Sequence, residues 1–221
     1  MLFMKRVFSL LQVLDNLSRV PRLGGVLFAG LDPNNCDSIA EHSYKVSYLC
    51  LILGQLAKKQ GLKPDTAALL SSAINHDWTD CILLDLPTGS PSYKSYFQNV
   101  DFLQIVKEGE KVARKAIEDF VEGEIDLPLG KEELGEIEKK ILAIADTLSL
   151  LLEILEWKYQ GLKYEWFDYV WSNTLQRLED QLGGDFKFLE PLIEELQKAF
   201  ASGGKPPNPF LTRPQFQTLK R

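Results

Sequence analysis

Apolar residues along the chain recur at spacings of three and four rather than two, which is the period of helices buried on one face. The pattern predicts helices over about residues 4–17, 38–59, 64–79, 103–122, 132–159, 163–182 and 186–201. No internal repeat or hairpin signal interrupts them, so the expected class is all-α. Pro21 ends the first helix, because proline disfavours helical geometry in the residue before it. Residues 22–37, with Gly24, Gly25, Gly30 and Pro33, read as a long loop. Ser38-Ile39-Ala40-Glu41 has the spacing of a capping box and marks the next start. Leu86 to Pro91 reads as a second loop. Gly203-Gly204-Lys205-Pro206-Pro207 opens a tail, which divides the chain into one domain over 1–202 and an extended segment over 203–221.

Composition narrows the function classes. Apolar residues make up 45% and charged residues 25% of 221 positions, ordinary values for a globular protein. A net charge of −6 argues against a broad nucleic-acid surface, which needs clustered Lys and Arg. Three cysteines, Cys36, Cys50 and Cys81, without C-x-x-C spacing, point to neither a disulfide framework nor a zinc ribbon. A reducing cytoplasm suits them. No apolar run reaches the length of a membrane span, and charge interrupts the N-terminus too early for a secretory signal.

The chain holds two histidines, each on the inward stripe of a predicted helix. His42 shares its stripe with Val46, Leu49, Leu53 and Leu56, and His76 with Ala73 and Leu69. Asp77 follows His76, so the two side chains leave the helix about 100° apart and can reach one ion beside it. Asp146 is the single carboxylate in the apolar run Ile141 to Leu152. A carboxylate buried there costs several kcal/mol unless it is protonated, paired or bound to a cation. Taken singly, each of these residues is more often a satisfied core group than a ligand; the joint pattern favours a divalent ion held by His42, His76, Asp77 and Asp146. Glu41 is accounted for by its capping box and Cys81 by packing.

The ordered set Ser38-Ile39-Ala40-Glu41-His42-Ser43, His76-Asp77, Asp85-Leu86-Pro87-Thr88 and Ala145-Asp146-Thr147-Leu148 resembles the HD-domain metal-dependent phosphohydrolases. Within them it is similar to the 5′-deoxynucleotidase branch. The resemblance covers about residues 10–160 and implies an HD-domain-like helical bundle, here with additional C-terminal helices. It also implies one divalent ion (Mn²⁺, Co²⁺, Fe²⁺ or Ni²⁺), a nucleoside 5′-monophosphate substrate and a homodimer, for which Trp166, Phe167, Val170 and Trp171 are the candidate apolar surface. Arg19 stands where the branch carries a phosphate-gripping arginine. Asp80, where the branch has glutamate, is the implied proton donor. Asp85 is the implied sugar reader or helper of the acid, and Lys94 a further basic contact for the substrate. Leu84 replaces the glycine usual before the second acidic residue.

The absence of a third histidine excludes a histidine-rich binuclear site. The rival readings are an HD-type hydrolase of a triphosphate, cyclic or modified nucleotide, a metal-binding regulatory module without turnover, and a helical interaction protein.

Overall fold

The computed structural model describes residues 2–24, 26, 31–85, 102–121, 134–162 and 167–204. Among these the regular elements are helical: α1 (Leu2–Asn16), α2 (Ile39–Lys59), α3 (Thr66–Asn75), α4 (Asp80–Leu83), α5 (Phe102–Val121), α6 (Glu136–Tyr159), α7 (Phe167–Gln181) and α8 (Glu190–Ala201). Short 3₁₀ turns occupy Pro33–Asn35 and Gly184–Leu189. Lys94, Trp166, the loop after Asp85 and the tail from Lys205 lie outside the described residues.

Helix α2 begins where its sequence says it should. Ser38 Oγ accepts the Glu41 N–H at 3.2 Å and Glu41 Oε2 accepts the Ser38 N–H at 2.7 Å, an arrangement contributing on the order of 1 kcal/mol. Asp65 caps α3 by accepting from Ala67 and Ala68 N–H groups. The buried Glu138 of α6 accepts the Asp65 N–H at 2.6 Å, tying the start of α3 to the start of α6.

Helix α6 is the axis of the core. Ile141, Leu142, Ile144 and Leu151 are fully buried, each side chain adding roughly 1.5–3 kcal/mol of burial free energy. Against them pack Val46, Cys50 and Leu53 of α2, Leu69 and Ala73 of α3, and Leu175 and Leu178 of α7. Phe167 and Trp171, expected as candidate interface residues, belong to this core instead. Trp171 stacks on Phe200 at 4.2 Å between ring centroids and Phe167 meets Trp157 edge-on. Their aromatic area is used inside the protomer, and Val170 packs beside them. Past α8, Gly204 adopts φ 88° against the backbone of α6 at Leu155 and Tyr159, where a side chain has no room.

Helix α3 stops at Asn75 rather than near Thr79. The His76 ring explains the early end: its Nδ1 lies 2.7 Å from the Ala73 carbonyl, the acceptor that a continuing helix would give to the Asp77 N–H. The chain turns through His76–Thr79 and resumes as α4.

Candidate metal centre

His42 from α2 and His76 from the end of α3 meet with their Nε2 atoms 3.1 Å apart. Asp77 Oδ2 lies 3.1 Å from His76 Nε2 and 3.4 Å from His42 Nε2. Asp146 of α6 brings Oδ1 to 3.3 Å from His42 Nε2. The histidine side chains are buried, at 0% and 1% exposure, whereas Asp77 and Asp146 keep 28% and 25%; the cluster therefore opens to solvent on its carboxylate side.

These donors fit a divalent cation. Ligands bound at about 2.1 Å to one ion stand about 3.0–3.4 Å apart in octahedral or tetrahedral geometry, which is the range of the contacts above. Ring orientation agrees. A carbonyl can only accept, so the short contact of His76 Nδ1 with Ala73 places the proton on Nδ1 and leaves the Nε2 lone pair of the neutral ring facing the cluster. His42 Nδ1 is held by Ser149 Oγ at 3.1 Å. Within the cluster His42, His76 and Asp77 form the tight group; Asp146 joins through His42 and gives its second oxygen to Arg177 Nη2 at 3.0 Å.

Charges are arranged to match. Burial raises the Asp77 carboxyl, but His76 and His42 outweigh it and bring its pKa down to about 2. Burial is likewise overcome at Asp146, where His42, His76 and Arg177 hold the group below the ordinary carboxylate range. Burial and the nearby Arg22 cation lower the pKa of His42. At His76 burial opposes the charged form, but Asp77 raises the pKa. Beside this cluster Asp80 is different: burial, Asp77, Asp85 and Glu110 push its carboxyl up to about 8. Two acids three residues apart are thus pushed in opposite directions by their surroundings.

Asp85 is partly buried. Its Oδ2 accepts the Leu23 N–H at 2.8 Å, and the Gly24 N–H also bonds to the carboxylate. Burial raises its pKa, with Asp77 in the same direction, while Arg22 and the two amides oppose. The residue before it, Leu84, has φ 65° and ψ 159°, a region that glycine occupies at no cost and that strains a leucine by roughly 1–3 kcal/mol.

Arg19 is not brought to the cluster. It sits in the turn after α1, 72% exposed, with Nη2 2.7 Å from Asp15 Oδ2. The arginine three residues on takes the inward place. Arg22 is fixed by its N–H to the Asp37 carbonyl at 2.8 Å, next to the Pro21–Ser38 bridge. Burial works against its charge, but Glu153, Asp85, Asp77 and Asp146 together raise its pKa. Glu153, 3% exposed on α6, shares a hydrogen bond with Asp37, and burial pushes it up to about 8. Lys45 pairs with the same Asp37.

The three thiols are poor nucleophiles. Burial pushes Cys36 and Cys81 up to about 11 and Cys50 up to about 12, far from the range where thiolate accumulates. Cys81 packs against Leu10, Trp78 and Ile117, as its sequence reading expects.

The described residues thus form a helical fold in which two buried histidines and two partly exposed carboxylates meet as a candidate site for a divalent cation. The profile of the family described as 5′-deoxynucleotidase YfbR-like matches residues 9–195. The chain belongs to this family and is a metal-dependent phosphohydrolase. Among solved structures it is similar to a conserved hypothetical protein from Pyrococcus furiosus, at 27% identity and TM-score 0.64 over 86% of this chain and 99% of that one. A Pyrococcus horikoshii protein shares 24% identity at TM-score 0.65, covering 88% and 98%. An HD-domain phosphohydrolase from Listeria innocua shares 21% at TM-score 0.59, covering 87% and 98%. A search of curated proteins gives no match. No helix among the described residues is long and apolar enough to cross a membrane.

Proposed function

We propose that the protein removes phosphate from nucleoside 5′-monophosphates, deoxynucleotides foremost, in the cytoplasm and as a homodimer. The observation that carries the reading is the convergence of His42, His76, Asp77 and Asp146, whose donor atoms meet within 3.1–3.4 Å of one another in pairs. One divalent ion, Mn²⁺, Co²⁺, Fe²⁺ or Ni²⁺, would be held by those four residues, where it supplies a lowered water pKa and offsets phosphoryl charge. Water oxygen forms the new bond to phosphorus, the bond from phosphorus to the 5′ oxygen breaks, and Asp80 gives its proton to that departing oxygen; one water proton stays on the released phosphate and the other passes through solvent to restore Asp80. Arg22 takes the role expected of Arg19, because its charge is coupled to Glu153, Asp85, Asp77 and Asp146 whereas Arg19 is paired with Asp15. Asp85 fastens the backbone that carries Arg22 and presents its remaining lone pairs to the sugar. The dimer surface lies elsewhere than Phe167 and Trp171, which are core residues.

Charge favours the monophosphate: one cation and few guanidinium forks balance a terminal phosphate, and no P-loop is present for a triphosphate. Phosphate release from dAMP, AMP, 3′-AMP and dATP with Mn²⁺ or Co²⁺ tests the reading. The 5′-monophosphates are expected to be cleaved fastest, with Arg22→Ala raising KM far more than Arg19→Ala. Faster release from dATP than from dAMP would overturn the assignment, and a larger rise of KM in Arg19→Ala than in Arg22→Ala would return the fork to Arg19.

A further inference from the structure

One guanidinium beside the cluster belongs to none of the HD motifs. Arg177 lies on α7, beside the buried stripe Thr174, Leu175 and Leu178 that packs this helix on α6. Packing carries its guanidinium to Asp146, where Nη2 donates to Oδ2 at 3.0 Å. The same carboxylate turns Oδ1 the other way, to 3.3 Å from His42 Nε2. Asp146 therefore divides its oxygens: one borders the cation position and the other is occupied by arginine.

The arginine is 50% exposed, whereas Asp146 is 25% exposed, so the fork stands on the open carboxylate side of the centre. A guanidinium has five N–H donors, and the contact with Asp146 uses one of them. Asp77 and Asp146 are held in their charged form, and a phosphate dianion entering beside them needs cations besides the metal. Arg22 meets that need from the inner side, among Glu153, Asp85 and Asp77. Among the described residues, Arg177 brings a guanidinium from the outer side.

We propose that Arg177 is a substrate-binding residue: held in place by Asp146, it offers its unused N–H groups to a phosphate oxygen of the incoming monoester. The inference rests on the phosphomonoesterase reading and adds to it a contact from the C-terminal helices. Asp146 thereby links cation and anion sites through one carboxylate.

Isothermal titration of Mn²⁺-loaded protein with inorganic phosphate, together with steady-state hydrolysis of dAMP, tests it in wild type, Arg177→Gln and Arg177→Lys. A charge-assisted hydrogen bond contributes about 1.5–3 kcal/mol, so Arg177→Gln is expected to weaken phosphate binding by about tenfold to hundredfold. KM for dAMP should rise more than kcat falls, manganese content should stay at the wild-type level, and Arg177→Lys should recover part of the loss. Unchanged phosphate affinity and KM in Arg177→Gln would overturn the assignment. So would loss of manganese with phosphate affinity intact once the ion is restored, since Arg177 would then serve Asp146 alone. If the wild type releases no phosphate from dAMP, the phosphomonoesterase reading falls; the phosphate titration still decides the role of Arg177.

Discussion

His76→Ala and Asp77→Ala are each expected to give a folded helical protein that no longer retains a divalent ion and no longer releases phosphate. The magnitude follows from what the two residues contribute. Changing a group that merely orients a ligand costs 10–100-fold in ion affinity or activity; removal of a ligand exceeds that, so a loss of at least about a hundredfold is expected in both ion affinity and rate. His76 cannot be replaced by a neighbour, because the chain has one other histidine, His42, and it is already in the cluster. Asp77 is held ionised, with its pKa down to about 2, by both imidazoles. Its loss removes the negative oxygen that faces both Nε2 atoms, at 3.1 Å and 3.4 Å. The fold should survive, since Asp77 keeps 28% exposure and the main core runs through Ile141, Leu151 and their neighbours instead. Elemental analysis of protein purified without chelator, circular dichroism and phosphate release form the test. A His76→Ala protein with wild-type ion content and rate would place the centre elsewhere.

Periodicity makes the helices and the inward histidines legible. Burial on one face is a property each residue advertises by its own polarity, and His42 is indeed fully buried on the helix that also buries Val46, Cys50 and Leu53. Side-chain competition for a backbone acceptor is not advertised in that way. The end of α3 at Asn75 depends on the His76 ring reaching the Ala73 carbonyl, so apolar spacing alone extends the helix by four residues. The choice between Arg19 and Arg22 is equally hidden. Both belong to one Arg-Val-Pro-Arg run, and only the folded chain separates them, pairing Arg19 with Asp15 at the surface and bringing Arg22 under the influence of Glu153, Asp85, Asp77 and Asp146. Ser149 and Glu153 do carry a signal. They follow Asp146 at three and seven residues, on the face of α6 that carries the ligand, and a buried acid one turn beyond a ligand's partner is a polar stripe in an apolar helix. Arg177 has none. Its helix reads as an ordinary amphipathic segment, and its contact with Asp146 exists through the packing of α7 on α6. Leu84 is visible in the sequence as a departure from glycine, whereas its φ of 65° supplies the reason that glycine is usual there.

Asp80→Asn is expected to keep the ion, cut kcat by about 10²–10⁴-fold and abolish the alkaline decline of the wild-type rate. His42 and His76 make their short contacts with Asp77 and Asp146, and Asp80 is assigned to proton transfer instead, so its removal should leave that donor set intact. Its chemistry depends on a proton. Burial, Asp77, Asp85 and Glu110 push the carboxyl up to about 8, and an acid must be protonated to donate. The rate of the wild type should therefore hold on the acid side of that value and fall as pH rises through it. A bound divalent cation opposes the same shift and moves the fall toward lower pH. The sign for stability is the same. A carboxyl whose pKa is raised from 3.8 to about 8 on folding keeps a proton that the unfolded chain releases, so its contribution is complete below about pH 4 and is lost as pH rises toward 8. The amide introduced by Asp80→Asn has no proton to lose, and the variant should gain stability relative to wild type at pH 9 more than at pH 5. Asp80→Glu separates reach from charge: the added methylene lengthens the donor, so this variant should retain the alkaline decline that Asp80→Asn lacks. The measurements are kcat between about pH 5 and 9.5, manganese content and thermal melts at the two extremes. An Asp80→Asn protein that loses its ion would make Asp80 a ligand. One that keeps the wild-type alkaline limb would assign the titrating proton to another group.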